Sequence, residues 1–190
     1  GVWLGALVPH LMAGKVVLLD GQSFDAARMF QAVEKHAVAS LIIVGDAFAR
    51  PMVQALKTQA ETGRPFDTSS VKMIMSTGAM FSADNKAEIF EYMPTTVVMD
   101  ILGSSEGGMG QTMATKDNVN TTAKFGAMPN TKVINFETGK EVAPGSGEQG
   151  MVGVSGSGVP IGYYKDPEKS ERTFRSFDGV RYSFPGDMAV

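Results

Sequence analysis

A chain of 190 residues is long enough for one domain, or one and a half, with a real buried core. Its 43% hydrophobic and 19% charged residues match an ordinary soluble globular composition and exclude disorder. A formal net charge of -3 does not suggest nucleic-acid binding, and the lack of any cysteine removes disulfides, thiolate zinc sites and cysteine nucleophiles together.

The chain opens on Gly1-Val2-Trp3-Leu4, apolar and helix-like, with no basic region before it and no cleavage site after it. Pro9, His10 and Lys15 interrupt this stretch, so it is too short and broken to span a bilayer. Val16-Val17-Leu18-Leu19 reads as a strand. Asp25 to His36 carries Ala26, Met29, Phe30 and Val33 at helical spacing, with Ser23 or Asp25 as cap. Leu41 to Val44 is the next strand. Asp46 to Gln59 is a helix troubled by Pro51. Val71 to Met75 is a strand, Ser82 to Tyr92 a helix capped by Ser82, and Thr96 to Leu102 a strand.

This alternation predicts an α/β fold, with helices layered on a largely parallel sheet. After about Thr121 glycines recur every few residues, with short runs such as Lys132-Val133-Ile134 and Met151-Val152-Gly153-Val154 between them. Residues 122–190 therefore read as part of a β-rich, barrel-like subdomain following an α/β subdomain of residues 1–121. Both ends of the chain fall in mid-pattern and read as cut.

Two glycine motifs invite nucleotide or hydrolase chemistry. Gly145-Ser146-Gly147-Glu148-Gln149-Gly150 has the spacing of a dinucleotide fingerprint. However, Pro144 precedes it and a β-like run follows, where the fingerprint needs a strand and then a helix. Gly103-Ser104-Ser105-Glu106-Gly107 has the spacing of a nucleophile elbow, with Ser105 as nucleophile. Gly107-Gly108-Met109-Gly110 is poor helix material, and no histidine follows His36 to complete a triad within the chain. The same residues admit another use. A strand ending at Asp100-Ile101-Leu102 turns on Gly103 and presents Ser105 and Glu106 at the carboxyl edge of the sheet, where α/β proteins bind nucleotides. A hydroxyl beside a carboxylate suits a Mg²⁺-phosphate complex.

The order of segments resembles the adenylate-forming superfamily of acyl-CoA synthetases, luciferases and peptide-synthetase adenylation domains. Met75-Ser76-Thr77-Gly78-Ala79-Met80 is similar to its small-residue turn before a helix. Asp100 to Glu106 is similar to its Y-G-x-T-E motif with the polar residue two places before it. Gly147 to Gly150, Gly162-Tyr163-Tyr164 and Asp166-Pro167-Glu168 resemble its G-E-x-G and G-Y-x-x-x-P-E segments, and Pro185-Gly186-Asp187 resembles its T-G-D motif.

The resemblance implies an internal fragment of an AMP-forming acyl-CoA ligase that uses ATP, Mg²⁺ and coenzyme A to activate a small-molecule carboxylic acid, in the cytoplasm. It implies that Gly78 and Ala79 give close backbone approach to adenine, and that Asp100 meets the adenine amino group. Leu102 stands where an aromatic residue stacks on adenine, beside Gly103. Ser105 touches phosphate, Glu106 binds Mg²⁺, and Asp187 accepts from both ribose hydroxyls. Pro185 replaces a common threonine. The phosphate loop is expected upstream, and the C-terminal domain with its lysine downstream, so the fragment alone is expected to be inactive. Trp3, Leu7 and Met109 are candidates for an acyl pocket, and the acid is expected to be hydrophobic, such as a fatty acid. Gly78, Asp100, Glu106 and Asp187 are expected to share one cleft. Two alternatives stay open: a serine hydrolase using Ser105, and a non-catalytic nucleotide-binding relative. Oligomeric state is not legible.

Overall fold

Why the first long helix starts at Ala26 is visible in one hydrogen bond. In the computed structural model, which describes residues 3–119 and 124–190 (the side chain of Trp3 excepted), the Arg28 N–H donates to Asp25 Oδ1 at 3.1 Å. That N-cap satisfies one of the helix's orphan donors. Helix α2 (Ala26–His36) then buries Ala26, Met29, Phe30 and Val33 on one stripe. Before it come a π-helical turn (Trp3–Leu7) and the one-turn helix α1 (Val8–Leu11). Residues 14–20 have no regular structure, which corrects the strand expected at Val16–Leu19. A four-residue apolar run becomes a strand only beside an edge that accepts its backbone groups. This run pairs with none of the described strands, and Leu18 is exposed.

From there strand and helix alternate: β1 (Ser40–Ile43), α3 (Gly45–Glu61), β2 (Met73–Thr77), α4 (Ala83–Tyr92) and β3 (Val97–Ser104). β1 and β2 run parallel with Leu41 opposite Ile74, and α3 makes the crossover that a parallel pair requires. The Asn85 N–H donates to Ser82 Oγ at 3.4 Å, so Ser82 caps α4. Only Ser105 and Glu106 separate β3 from β4 (Gly107–Ala114), and a two-residue connection allows only a hairpin. β5 (Gly126–Ala127) pairs antiparallel with β4, Gly110 opposite Ala127. The sheet order is β1-β2-β3-β4-β5, so the sheet is mixed: parallel where a helix crosses over, antiparallel from the hairpin onward.

The second sheet holds β6 (Thr131–Asn135), β7 (Lys140–Glu141), β8 (Gly150–Ser155), β9 (Phe174–Phe177), β10 (Val180–Ser183) and β11 (Met188–Ala189), with helix α5 (Pro167–Thr173) before β9. Its order is β7-β6-β8-β10-β9, every described pairing is antiparallel, and β11 also lies on β8. Gly145 to Gly150 forms the turn leading into β8, strand rather than helix, as its flanking residues predict.

The chain divides into two compact units. One is Gly1–Asp100 with Thr112–Lys124; the other is Ile101–Gln111 with Phe125–Val190. The expected boundary at 121/122 falls outside the described residues. The first unit's core joins α2, α3 and α4 to β1–β3 through residues such as Phe30, Met52, Ile74, Ile89 and Val98. Each large side chain so buried stabilises by roughly 1.5–3 kcal/mol before entropy is counted. The second unit has two clusters, one of Met109, Val152 and Val154, the other of Ile134, Tyr182 and Phe184. Among the described residues no helix is long and apolar enough to cross a membrane.

Candidate functional site

In the first unit the chain after β2 makes the predicted small-residue turn. Gly78 adopts φ +86°, a left-handed conformation that glycine takes without strain, and Gly78 and Ala79 are exposed. The turn is pinned to the start of α3. Gly45 N–H donates to Ser76 Oγ at 3.1 Å, and Asp46 N–H donates to the Met80 carbonyl at 2.9 Å. Ser82 donates to Asp46 Oδ1 from its backbone N–H at 2.9 Å and from its hydroxyl at 3.1 Å. Burial pushes the Asp46 carboxyl upward, but hydrogen bonds from Ser82 and Asn85 together with the Arg50 charge bring it below the usual value.

Asp100, near the end of the same unit's β3, is buried and ion-paired through Oδ2 with the Lys86 ammonium of α4. Its pKa is raised: desolvation outweighs the Lys86 contacts, and the Asp46 charge adds to the rise. Sequence reasoning passed over Lys86, which sits on the apolar stripe of α4 with Ile89 and Phe90. A lysine in that register was the available signal.

The second unit carries the hairpin turn. Glu106 N–H donates to Ser104 Oγ at 3.2 Å, which shapes the turn, and Ser105 is exposed at its tip. A Cβ at Gly103 would sit 3.2 Å from the Gly107 carbonyl oxygen and the Gly108 Cα, so the hairpin closes only around a small residue. Glu106 is half-buried, and the Tyr163 hydroxyl donates to its Oε1 at 2.5 Å. That hydrogen bond, followed by the one from Ser104, holds the Glu106 carboxyl below its usual value, and it raises the Tyr163 phenol. Tyr163 is itself held: its N–H donates to Ser170 Oγ at 2.8 Å, and the Lys169 ammonium lies 4.3 Å from its ring centroid. Tyr163 entered the sequence reading only as part of a motif, and its contact with Glu106 spans 57 positions.

Asp187 lies in the interruption between β10 and β11, both of which pair with β8. Pro185 has no N–H for the ladder and Gly186 takes φ +117°, so the chain leaves β8 and returns to it. The Asp187 carbonyl accepts from Val152 N–H at 2.8 Å, while the residue remains exposed. Its backbone is thus fixed and its carboxylate reaches solvent.

The three acyl-pocket candidates fare unequally. Met109 is 1% exposed and packs against Val152 and Val154, with Leu102 and Ala189 beside the cluster. Leu7 is 46% exposed, and the side chain of Trp3 lies outside the described residues. Ser105 is followed by strand β4 and not by a helix, which removes the elbow geometry of the hydrolase alternative. The described surface concavities are lined by residues between Leu19 and Phe66 and include none of the predicted site residues. No group of three metal-ligating side chains occurs among the described residues, so a Mg²⁺ ion would rely on Glu106 and on oxygens of its phosphate partner.

Residues 1–164 match the sequence profile of the family described as AMP-binding enzyme. The chain belongs to that family. Among relatives of this AMP-binding chain, a medium/long-chain-fatty-acid–CoA/3-oxocholest-4-en-26-oate–CoA ligase of Mycolicibacterium smegmatis is 38% identical over 180 residues, covering 94% of this chain and 32% of the relative. A 3-oxocholest-4-en-26-oate–CoA ligase of Rhodococcus rhodochrous is 36% identical over 191 residues, covering 97% and 33%. Apo MatB from Rhodopseudomonas palustris, a crystal structure, superposes with a TM-score of 0.75 at 26% identity, covering 99% of this chain and 35% of that one. The AMP-binding chain thus spans about a third of the length of the relatives it matches.

Proposed function

We propose that the chain is the nucleotide-handling part of an AMP-forming acid–thiol ligase acting on a hydrophobic carboxylic acid. The observation that carries this reading is 38% identity, over 94% of the chain, to a relative named as a medium/long-chain fatty-acid–CoA ligase. In the reaction the acid's carboxylate oxygen attacks the α-phosphorus of ATP. The bond to the β-phosphate bridging oxygen breaks and pyrophosphate leaves. The thiolate of coenzyme A then attacks the acyl carbonyl, and AMP departs as a good leaving group.

The residues fit their assigned parts. Glu106 is held anionic by Tyr163 and Ser104, and it has a second carboxylate oxygen with which to meet Mg²⁺. Mg²⁺, when bound, supplies neutralisation of phosphate charge. Ser105 offers an exposed hydroxyl to phosphate. Gly78 and Ala79 offer backbone to adenine, Asp100 accepts from its amino group, and Leu102 and Gly103 follow Asp100 along β3. Asp187 presents an exposed carboxylate for the ribose hydroxyls.

The complete protein, incubated with ATP, coenzyme A and a panel of acids, should release pyrophosphate with medium- or long-chain fatty acids. Failure to release pyrophosphate with any acid of the panel overturns the reading, and nucleotide binding without release would favour a non-catalytic relative. A second acid class, the carboxylated steroid side chain, belongs on the panel because the Rhodococcus relative is named for one.

A further inference from the structure

Lys86 is the largest charged side chain in the first unit's interior. It is 1% exposed, on the stripe of α4 that also buries Ile89 and Phe90. Taking an ammonium out of water costs several kcal/mol, and a pair of apolar residues of equal volume would usually serve stability as well or better. Packing therefore gives no reason for a lysine here. Its described polar partner is Asp100 Oδ2, and its ammonium also lies 5.4 Å from the Phe81 ring centroid.

The pair is asymmetric. The lysine is sealed, whereas the Asp100 side chain keeps 11% of its surface exposed. The cation lies inside and the carboxylate is the member that reaches the surface. Burial and the Asp46 charge both favour a protonated Asp100, and Lys86 is the group that opposes them.

Protonation would change what Asp100 recognises. A carboxylate only accepts hydrogen bonds, whereas a carboxylic acid also donates one. Adenine carries an amino donor at its 6-position, and hypoxanthine carries a carbonyl acceptor there. An ionised Asp100 attracts the first and repels the second; a protonated one tolerates both. Sites built this way discriminate by leaving the wrong ligand's polar group unpaired.

We propose that Lys86 is a positioning residue that keeps Asp100 a pure acceptor and so sets the preference for a 6-amino over a 6-oxo purine nucleotide. The proposal rests on the reading that Asp100 meets the base's amino group.

The test is displacement of a fluorescent ATP analogue from the complete protein by ATP and, separately, by ITP. The readout is the ratio of the two dissociation constants, which a loss of general stability would not move. Lys86→Met is expected to reduce discrimination against ITP at least tenfold, and Lys86→Arg to keep it within about threefold of the parent. Asp100→Asn, whose amide can donate, should also lose it. If Asp100→Asn leaves the ratio unchanged, Asp100 does not read the base and the underlying assignment fails. If Asp100→Asn shifts the ratio but Lys86→Met does not, only the role given to Lys86 is overturned. Should Lys86→Met fail to fold, Lys86→Gln carries the same expectation. If neither folds, Lys86 is a structural residue and the proposal is overturned.

Discussion

A methyl group added at Gly45 would lie 2.2 Å from the Met80 carbonyl oxygen, on a residue with φ +50°. Both facts penalise any side chain there, the first by overlap with backbone that is itself tied to Asp46, the second by left-handed strain. Gly45→Ala should therefore destabilise by roughly 2–4 kcal/mol in urea unfolding. Gly63, at φ +77° with nothing within 4 Å, is the control, and Gly63→Ala should cost only about 1 kcal/mol.

The Glu106–Tyr163 pair makes a prediction in pH. The folded carboxyl lies below its unfolded value, so its contribution to stability is present above the unfolded value. That contribution is lost as pH falls through the folded one. Tyr163→Phe removes the principal cause. The ¹³C titration of the Glu106 carboxyl should then move up toward the ordinary glutamate range, and the acid limb of the stability curve should flatten. Seen from the phenol, whose pKa is raised, the same bond stabilises below the unfolded tyrosine value and is lost as pH climbs through the folded one.

The turns that carry Gly78, Gly103, Glu106 and Asp187 were legible because each follows a short motif. The partners were harder to read: the contact of Tyr163 with Glu106 spans 57 positions, and Lys86 is signalled only by its register with Ile89 and Phe90 on the buried stripe of α4. Met109 stays open to two readings for the opposite reason: an apolar residue beside a glycine run looks the same from sequence whether it lines a pocket or fills a core.

At the scale of elements, capping and periodicity carried most of the information. Asp25 and Ser82 cap the helices they were expected to cap, and the buried stripe of α2 is the one its spacing predicts. The unpaired Val16–Leu19 segment shows the limit of propensity: β-branched residues favour a strand, but only pairing makes one. Pro51 was expected to disturb its helix, yet α3 continues through it to Glu61. A proline there removes one backbone hydrogen bond and crowds the preceding turn. It is exposed, so nothing in the core depends on its ring. Pro51→Ala should raise stability by about 1–3 kcal/mol, because restoring the hydrogen bond outweighs the freedom returned to the unfolded chain. Thermal unfolding of the two forms is the measurement.

On the scale of the whole molecule, the predicted succession of an α/β part and a β-rich part follows the order of elements, and the polypeptide changes unit where no sequence signal marks it. That change happens inside strands, at Asp100/Ile101 in β3 and again at Gln111/Thr112 in β4. No composition shift marks either place, because each strand must read as strand throughout. The arrangement has a consequence for synthesis on the ribosome. Met109 emerges early, but Val152 and Val154, which cover it, follow only after roughly 40 further residues, a delay of about 2–8 s at ordinary elongation rates. For that interval the nascent hairpin shows an apolar face with no native cover. It is in this window, more than in the finished molecule, that a chaperone would find something to hold.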